Sequence, residues 1–270
     1  MSIVAMSREL GSLGTVIGTA VAKALDYDYI YQEITSEAAR DYEVVEEKLI
    51  RVVEKAPRLL ETLRSDFRRY QAFVQAQVYK SAQRDNVVLI GRWSTLLLKE
   101  VSHAIRVRVT APENVRAQRV MKMMRVGPEK ALEIIRENDL ERGGRMEHLY
   151  GVDWKAPHLY ELVLNTEKVS VEAGAELIVD LARRDEFRAT EKSKRTLDNL
   201  ATASGIRAAL KAHRVTRDVD VDIQASNGAI LVMGVVGSET EKKSVEKVVR
   251  SATGVRKLDS QLQVFKYRAR

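Results

Sequence analysis

The segment from Ile3 to Leu25 constrains the fold more than any other part of the chain. A short apolar run, Ile3 to Met6, breaks into a turn containing Gly11 and Gly14. Val16, Ile17, Ala20, Val21, Ala24 and Leu25 then recur at helical spacing. Strand, glycine turn and helix in that order place the start of a helix at the end of a strand. Unpaired backbone N–H groups at such a helix start point outward and favour an anion. An ordinary strand-to-helix turn would use the same residues, so both readings stay open at this point.

The full phosphate-loop pattern of ATP-using proteins is G-x-x-x-x-G-K-[ST], with the Lys on the β/γ-phosphates and the hydroxyl on Mg²⁺. With Thr15 as the hydroxyl, the first glycine falls on Arg8, the second on Leu13 and the lysine on Gly14. Leu13 puts a side chain where a glycine lets the backbone approach a phosphate.

Further along, Asp26 to Tyr31 reads as a short strand or loop, and Ile34 to Arg84 as helical throughout. Pro57 there should start a new helix. Leu59, Leu60, Leu63, Phe67, Tyr70, Phe73, Val74 and Val78 form an apolar stripe, with Arg58, Arg64, Arg68 and Arg69 on the solvent face. Asn86 to Ile90, Ala104 to Thr110 and Leu162 to Leu164 read as buried strands. Thr110 and Glu113 fit a capping box opening a helix to Val126. The next helix runs from Pro128 to about Glu141 and should break at Gly143-Gly144; another covers Val171 to Arg183. Apolar strands alternating with helices indicate a parallel sheet covered on both faces.

Residues 185–195 are charged and lack apolar periodicity, the character of a linker or an exposed helix end, with few contacts expected to either side. Beyond them, Ile206, Ala209 and Leu210 mark a helix, and Val219, Val221 and Ile223 alternate with Asp218, Asp220 and Asp222 on a half-buried strand. Asn227-Gly228 makes a hairpin turn, Ser238 and Glu241 cap a helix ended by Gly254, and Leu258, Leu262 and Val264 suit a last strand.

The chain has no cysteine, which removes disulfides and thiolate chemistry. No apolar run approaches the roughly 18 residues of a membrane span, and no secretory signal is visible, so the expected location is cytoplasmic. A net charge of +7 permits anionic partners, yet basic residues are interspersed with acids and only 6% of residues are aromatic, so nucleic acid is not an expected partner. His103, His148, His158 and His213 are isolated, without metal-ligand spacing, and read as surface or loop residues, so no histidine metal site is expected.

Ser7-Arg-Glu-Leu-Gly-Ser12, Gly18, Gly91-Arg92, the segment Tyr150 to Trp154, and Tyr160 to Thr166 together resemble the cytidylate-kinase-like family of P-loop proteins. The resemblance covers residues 1–184 and implies a P-loop NTPase-like parallel sheet wrapped by helices, ATP with Mg²⁺ as donor, and CMP or dCMP as acceptor. Residues 196–270, through Gly228, Gly234 and Gly254-Val255, resemble a BON domain, a small α+β module that implies a protein or anionic lipid partner.

Carried over by position, Gly11, Ser12, Gly14 and Thr15 would line the donor phosphates, with Thr15 as the Mg²⁺ contact. Arg92 would hold the acceptor phosphate, Asp139 would accept from a cytosine amino group, and Arg142 would brace the transferred phosphoryl, with Arg145 and Arg136 one turn away. A solvated helical face would give the same arginine spacing. The family's acid after the first helix aligns with Tyr31, and the acid after Gly91-Arg92 with Trp93.

Two functions follow. One is a kinase moving phosphoryl from ATP to a pyrimidine nucleoside monophosphate. The other is a catalytically degenerate kinase fold acting as a nucleotide sensor or scaffold. With the loop lysine absent, ATP is expected to dissociate in the high-micromolar range or weaker, about −5 kcal/mol. Calorimetry giving nanomolar affinity would contradict this. A Gly14→Lys, Leu13→Gly double change should tighten binding if the cradle has its usual shape.

Overall fold

The computed structural model describes residues 2–54 and 65–265. The first part runs β1 (Ile3–Arg8), α1 (Gly14–Leu25), β2 (Asp28–Ile30), α2 (Glu33–Asp41), α3 (Glu46–Glu54), α4 (Ser65–Ala82), β3 (Val87–Ile90), α5 (Ser94–Leu97), β4 (Ala104–Thr110), α6 (Glu113–Met124), α7 (Pro128–Tyr150), β5 (Leu162–Asn165) and α8 (Val171–Ala182). Helix α9 (Glu191–Ala212) leads into β6 (Asp222–Ser226), β7 (Ala229–Val236), α10 (Glu239–Ser251) and β8 (Lys257–Val264). Pro57, Leu59, Leu60, Leu63, Arg58 and Arg64 lie outside the described residues.

The first five strands form one parallel sheet in the order β2-β3-β1-β4-β5. β1 is central, and its alternate residues feed opposite layers. Ile3 and Ala5 pack with Phe73, Val78 and Leu89, while Val4 and Met6 pack with Ile17, Val21, Ile105 and Ile178. Continuous apolar strands are what a sheet covered on both faces requires. Gly18 lets α1 lie on β3, since a Cβ there would sit 2.6 Å from Ile90 Cδ1. The described part of the apolar stripe, Phe67 to Val78, is buried as expected.

The expected break at Gly143-Gly144 does not occur: α7 continues to Tyr150. Two glycines cost a helix roughly 1 kcal/mol each, but the Trp154 indole packs directly on the helix at Gly143, filling the space its missing side chain leaves. The expected capping box at Thr110 is also absent. Pro112 is the N-cap, while Thr110 Oγ1 donates to Glu9 Oε2 at 2.5 Å. His103, expected at the surface or in a loop, lies in the turn before β4 but is fully buried, with Nε2 3.2 Å from Asp85 Oδ1; burial pushes its pKa down.

The second sheet, β6-β7-β8, has an antiparallel hairpin at Asn227-Gly228 and a parallel β7–β8 pair joined through α10. Both turn residues have positive φ, 49° and 80°, as a two-residue hairpin demands. Ser238 caps α10 as expected, accepting from the Glu241 N–H. Val219 is buried and Val221 half-buried, but neither joins the strand, which begins at Asp222.

The stretch expected to be a linker or an exposed helix end is the latter from Glu191 on, where α9 begins, and the part before it is not free of contacts. Phe187 packs on the α1–α8 layer. Thr190 caps α9, its hydroxyl accepting from the Ser193 N–H while the Ser193 hydroxyl accepts from the Thr190 N–H. That reciprocal cap starts the helix inside a charged segment, where apolar periodicity gives no signal. Leu197 and Ala208 of α9 belong to the core containing Phe73 and Tyr79, whereas Ile206 and Leu210 belong to the core of the second sheet. Arg68 pairs with Asp220 at 3.0 Å, and Gln83 donates to Asp198 at 2.7 Å. One helix thus serves two cores. Leu197→Ala is expected to cost about 2–3 kcal/mol and to loosen α4, which is distant in sequence but shares its core; hydrogen exchange reads this out. Unchanged α4 protection would show that α9 does not help to hold the first core.

Candidate functional site

The site lies at the carboxyl ends of β1, β3 and β4, where open parallel sheets bind ligands. Between β1 and α1 the chain makes a tight loop. Gly11 has φ 80° and lies so close to α6 that a Cβ would meet the Arg116 carbonyl oxygen at 2.8 Å. Leu13, the α1 N-cap, has φ 64°, a left-handed conformation that a leucine adopts only at a cost of about 1–2 kcal/mol. The loop carbonyls are tied from behind. Arg119 Nη1 donates to Gly11 O at 3.2 Å, and Thr166 Oγ1 to Ser12 O at 2.9 Å. The N–H groups opening α1 have no such internal acceptors and present positive partial charge.

Glu9 anchors the loop. Its carboxylate accepts from Arg108 Nη2 and Thr110 Oγ1, both at 2.5 Å, and lies 3.4 Å from Arg116 Nε. Arg116 in turn makes a bidentate pair with Asp139, at 3.1 and 2.8 Å. Arg108 is stacked on Trp154, 4.2 Å from the ring centroid, and donates to the Trp154 carbonyl.

In front of the loop is a cavity of about 330 Å³ lined by Arg8, Arg92, Arg142 and Arg145 together with Glu54, Glu141 and Tyr31. Gly91, Arg92 and Trp93 all have positive φ, so the chain after β3 winds left-handed and delivers Arg92 into the cavity. On α7, Asn138, Glu141, Arg142 and Arg145 share the cavity face at i, i+3, i+4 and i+7. Burial pushes Arg142 and Arg145 down to about 10, so both stay charged at neutral pH, and burial lowers Arg92 as well. Arg92 Nε and Arg145 Nε and Nη1 have no hydrogen-bond partner among the described residues. Buried donors left unpaired are costly unless a ligand meets them. The solvated-face reading of these arginines fails for Arg145, which is 6% exposed.

Of the residues expected from sequence, Arg92, Arg142 and Arg145 converge on the cavity, beside the loop formed by Gly11, Ser12, Gly14 and Thr15. Asp139 does not line it; Arg116 holds its carboxylate against α6. Arg136 is also elsewhere, paired with Glu113 at 2.7 Å. Arg142 is not a free charge, since it donates to Asn138 Oδ1 and to the Arg8 carbonyl. Sequence reasoning passed over Arg8, Glu9, Arg108, Arg116 and Glu54. Only the adjacency of Arg8-Glu9 to the loop hinted at the first two. Tyr31, which stands where the family's acid falls, has its ring under Arg8 at 4.6 Å and Arg92 at 5.4 Å.

A Gly14→Lys change cannot restore the missing lysine, because a Cβ on Gly14 would meet Arg8 Cβ at 2.6 Å. Thr15, where the resemblance puts Mg²⁺, is engaged by the protein itself. Arg8 Nε donates to Thr15 Oγ1 at 2.7 Å, Glu9 is fully engaged, and no acidic or histidine cluster suited to a metal occurs among the described residues. A larger cavity, about 1030 Å³, separates α4 from the second sheet. Its Lys80, Arg195 and Arg256 are mixed with Asp41 and Asp198, and it is walled by the Asn227-Gly228 hairpin and not by the glycine loop before α1.

A parallel sheet with a glycine loop opening a helix at its carboxyl edge defines a P-loop-type, kinase-like fold. Residues 3–168 match the Cytidylate kinase-like family, and the chain belongs to that family. Residues 198–265 match the BON domain. The cytidylate kinase of Pyrococcus horikoshii is 32% identical over 99 residues, 37% of this chain and 50% of that protein. That of Thermococcus kodakarensis is 27% identical over 165 residues, 61% and 79% respectively. The chain thus spans about half the length of the first of these relatives. A solved but uncharacterized protein from Eubacterium ventriosum shares the fold, with a TM-score of 0.54 at 18% identity over 68% of this chain and 100% of its own.

Removing the Asp139 carboxylate tests its structural role. Asp139→Ala should cost about 2 kcal/mol in denaturant unfolding by stripping Arg116 of a charged partner. A variant with unchanged stability but altered base selectivity would return Asp139 to the acceptor site.

Proposed function

We propose that the first domain transfers a phosphoryl group from ATP to the phosphate of a pyrimidine nucleoside monophosphate, CMP or dCMP. The observation that carries this reading is the convergence of Arg92, Arg142 and Arg145 beside the glycine loop, with unpaired donors on two of them. In such a transfer an acceptor phosphate oxygen forms a new P–O bond as the bridging bond to the γ-phosphorus breaks and ADP leaves. Little covalent chemistry falls to the protein, so positioning and charge neutralisation carry the rate. Arg92 holds the acceptor phosphate. Arg145 and Arg142, on a helix docked to the loop, meet the charge on the transferred group. Trp93, Met146 and Trp154 exclude water from one side of the cavity.

The second reading is a nucleotide-binding protein without turnover. It is favoured by Leu13, whose half-buried side chain stands at the loop's left-handed position, and by the engagement of Asp139 with Arg116. In either case the BON module is a docking element for a protein or an anionic lipid surface, and the chain works in the cytoplasm. Among the described residues no helix is long and apolar enough to cross a membrane.

A coupled assay for ADP formation with ATP and CMP separates the two readings. Transfer to CMP supports the kinase; saturable nucleotide binding without transfer to any nucleoside monophosphate supports the sensor. Arg145→Met is the sharper variant. It should lower kcat by about a hundredfold or more while leaving the thermal midpoint unchanged or higher, because it removes a buried charge with unpaired donors. A fall in midpoint with undiminished transfer would make Arg145 a structural residue.

A further inference from the structure

Arg8 ends β1 and lies across the front of the loop. Its Nε donates to Thr15 Oγ1 at 2.7 Å, and its guanidinium carbon stands 4.6 Å over the Tyr31 ring. Its Cβ occupies the space next to Gly14, 2.6 Å from where a Cβ on that glycine would be. In the full phosphate-loop pattern the residue at Gly14 is the lysine that reaches the β/γ-phosphates, and the hydroxyl at Thr15 carries the metal ion. Here the first position has no side chain and the second is hydrogen-bonded to a cation. Gly14 is therefore more than a lost lysine: its bareness is what admits Arg8.

The surroundings give a divalent ion nothing to bind. Glu9 is the acid nearest in sequence. One of its oxygens accepts from Arg108; the other accepts from Thr110 and faces Arg116. A Mg²⁺ on the remaining lone pair of Thr15 would lie within a few ångströms of the fixed charge of Arg8, and beside water and the ligand's own phosphates it would have that hydroxyl alone from the loop, without the carboxylate such sites normally add. A guanidinium, by contrast, offers several N–H donors in a plane that matches phosphate oxygens. With Nε turned to Thr15, Arg8 lines the cavity shared with Arg92, Arg142 and Arg145, and its Nη1 lies beside Gly91, another lining residue.

We propose that Arg8 stands in for both the loop lysine and the metal ion, so that the loop takes the polyphosphate of a nucleotide in its metal-free form. The proposal rests on reading the loop as a nucleotide-phosphate site and adds to it the ionic form of the ligand. Tyr31 fits this role, since its electron-rich ring lies 4.6 Å from the guanidinium carbon of Arg8 and 5.4 Å from that of Arg92 and attracts both charges.

The test is calorimetric titration of the full chain with ATP, and with inorganic tripolyphosphate as a probe lacking base and ribose, in EDTA and in millimolar Mg²⁺. The unaltered protein is expected to bind both at least as tightly in EDTA as in Mg²⁺. Arg8→Met should lose about tenfold or more of the EDTA affinity, with its folding checked by a circular-dichroism melt. Arg8→Lys, which keeps the charge but not the bond to Thr15, should retain part of the affinity. Should Arg8→Met fail to fold, the comparison of EDTA with Mg²⁺ on the unaltered protein decides alone. If ATP and tripolyphosphate bind only with Mg²⁺, or folded Arg8→Met binds as the unaltered protein does, the assignment of Arg8 falls while the nucleotide reading stands. If folded protein binds neither in either condition, both fall.

Discussion

A buried carboxylate holds the first domain's working parts in place. Glu9 is about 5% exposed at its side chain and accepts from Arg108 on β4 and Thr110 at the end of that strand, with Arg116 of α6 alongside. Through Arg116 the same network reaches Asp139 on α7. An ionised carboxylate so deep in the protein is tolerable only when paired and hydrogen-bonded. The pairing has a geometric consequence. It fixes the phosphate loop, the central strands and the arginine-bearing helix relative to one another, and breaking any member would leave another charge buried. This is also why Asp139, which by position should meet a nucleobase, is committed elsewhere.

Against that frame the cavity has the opposite character. Arg92 and Arg145 are buried with donors unmatched among the described residues, and their neighbours Glu54 and Glu141 sit toward its rim. Glu54 lies 3.7 Å from Arg92, long for an ion pair, and its side chain is 56% exposed. The left-handed run through Gly91, Arg92 and Trp93 adds strain at the same place. A domain that satisfies one set of buried charges so fully and leaves an adjoining set short of partners has the arrangement expected where an anion completes the site.

The second domain is attached by a shared helix and not by a tether. One side of α9 completes the helical layer over the first sheet and the other side forms part of the second core, so Leu197 and Ile206 sit in different interiors on the same helix. Such sharing resists independent motion of the two parts, because separating them exposes apolar surface on both. The BON module is therefore joined through one helix to α4, which walls one side of the larger cavity.

The α/β character, the order of the strands along the chain, the hairpin at Asn227-Gly228 and the loop before α1 were all legible in sequence. Each is encoded locally, by apolar runs, by periodicity or by residues that tolerate positive φ. The convergence of Arg92, Arg142 and Arg145 was legible only through resemblance, since the cavity face of α7 looks on paper like any charged helix. What the chain could not declare was set by distant contacts. Trp154 carried α7 through two glycines, and Arg116 took Asp139 away from the cavity. Arg8 filled the space beside Gly14 and bound the hydroxyl meant for a metal. Local sequence decides which elements form; where a charged side chain finds its partner depends on which elements the fold brings against it, and only the packed structure fixes that.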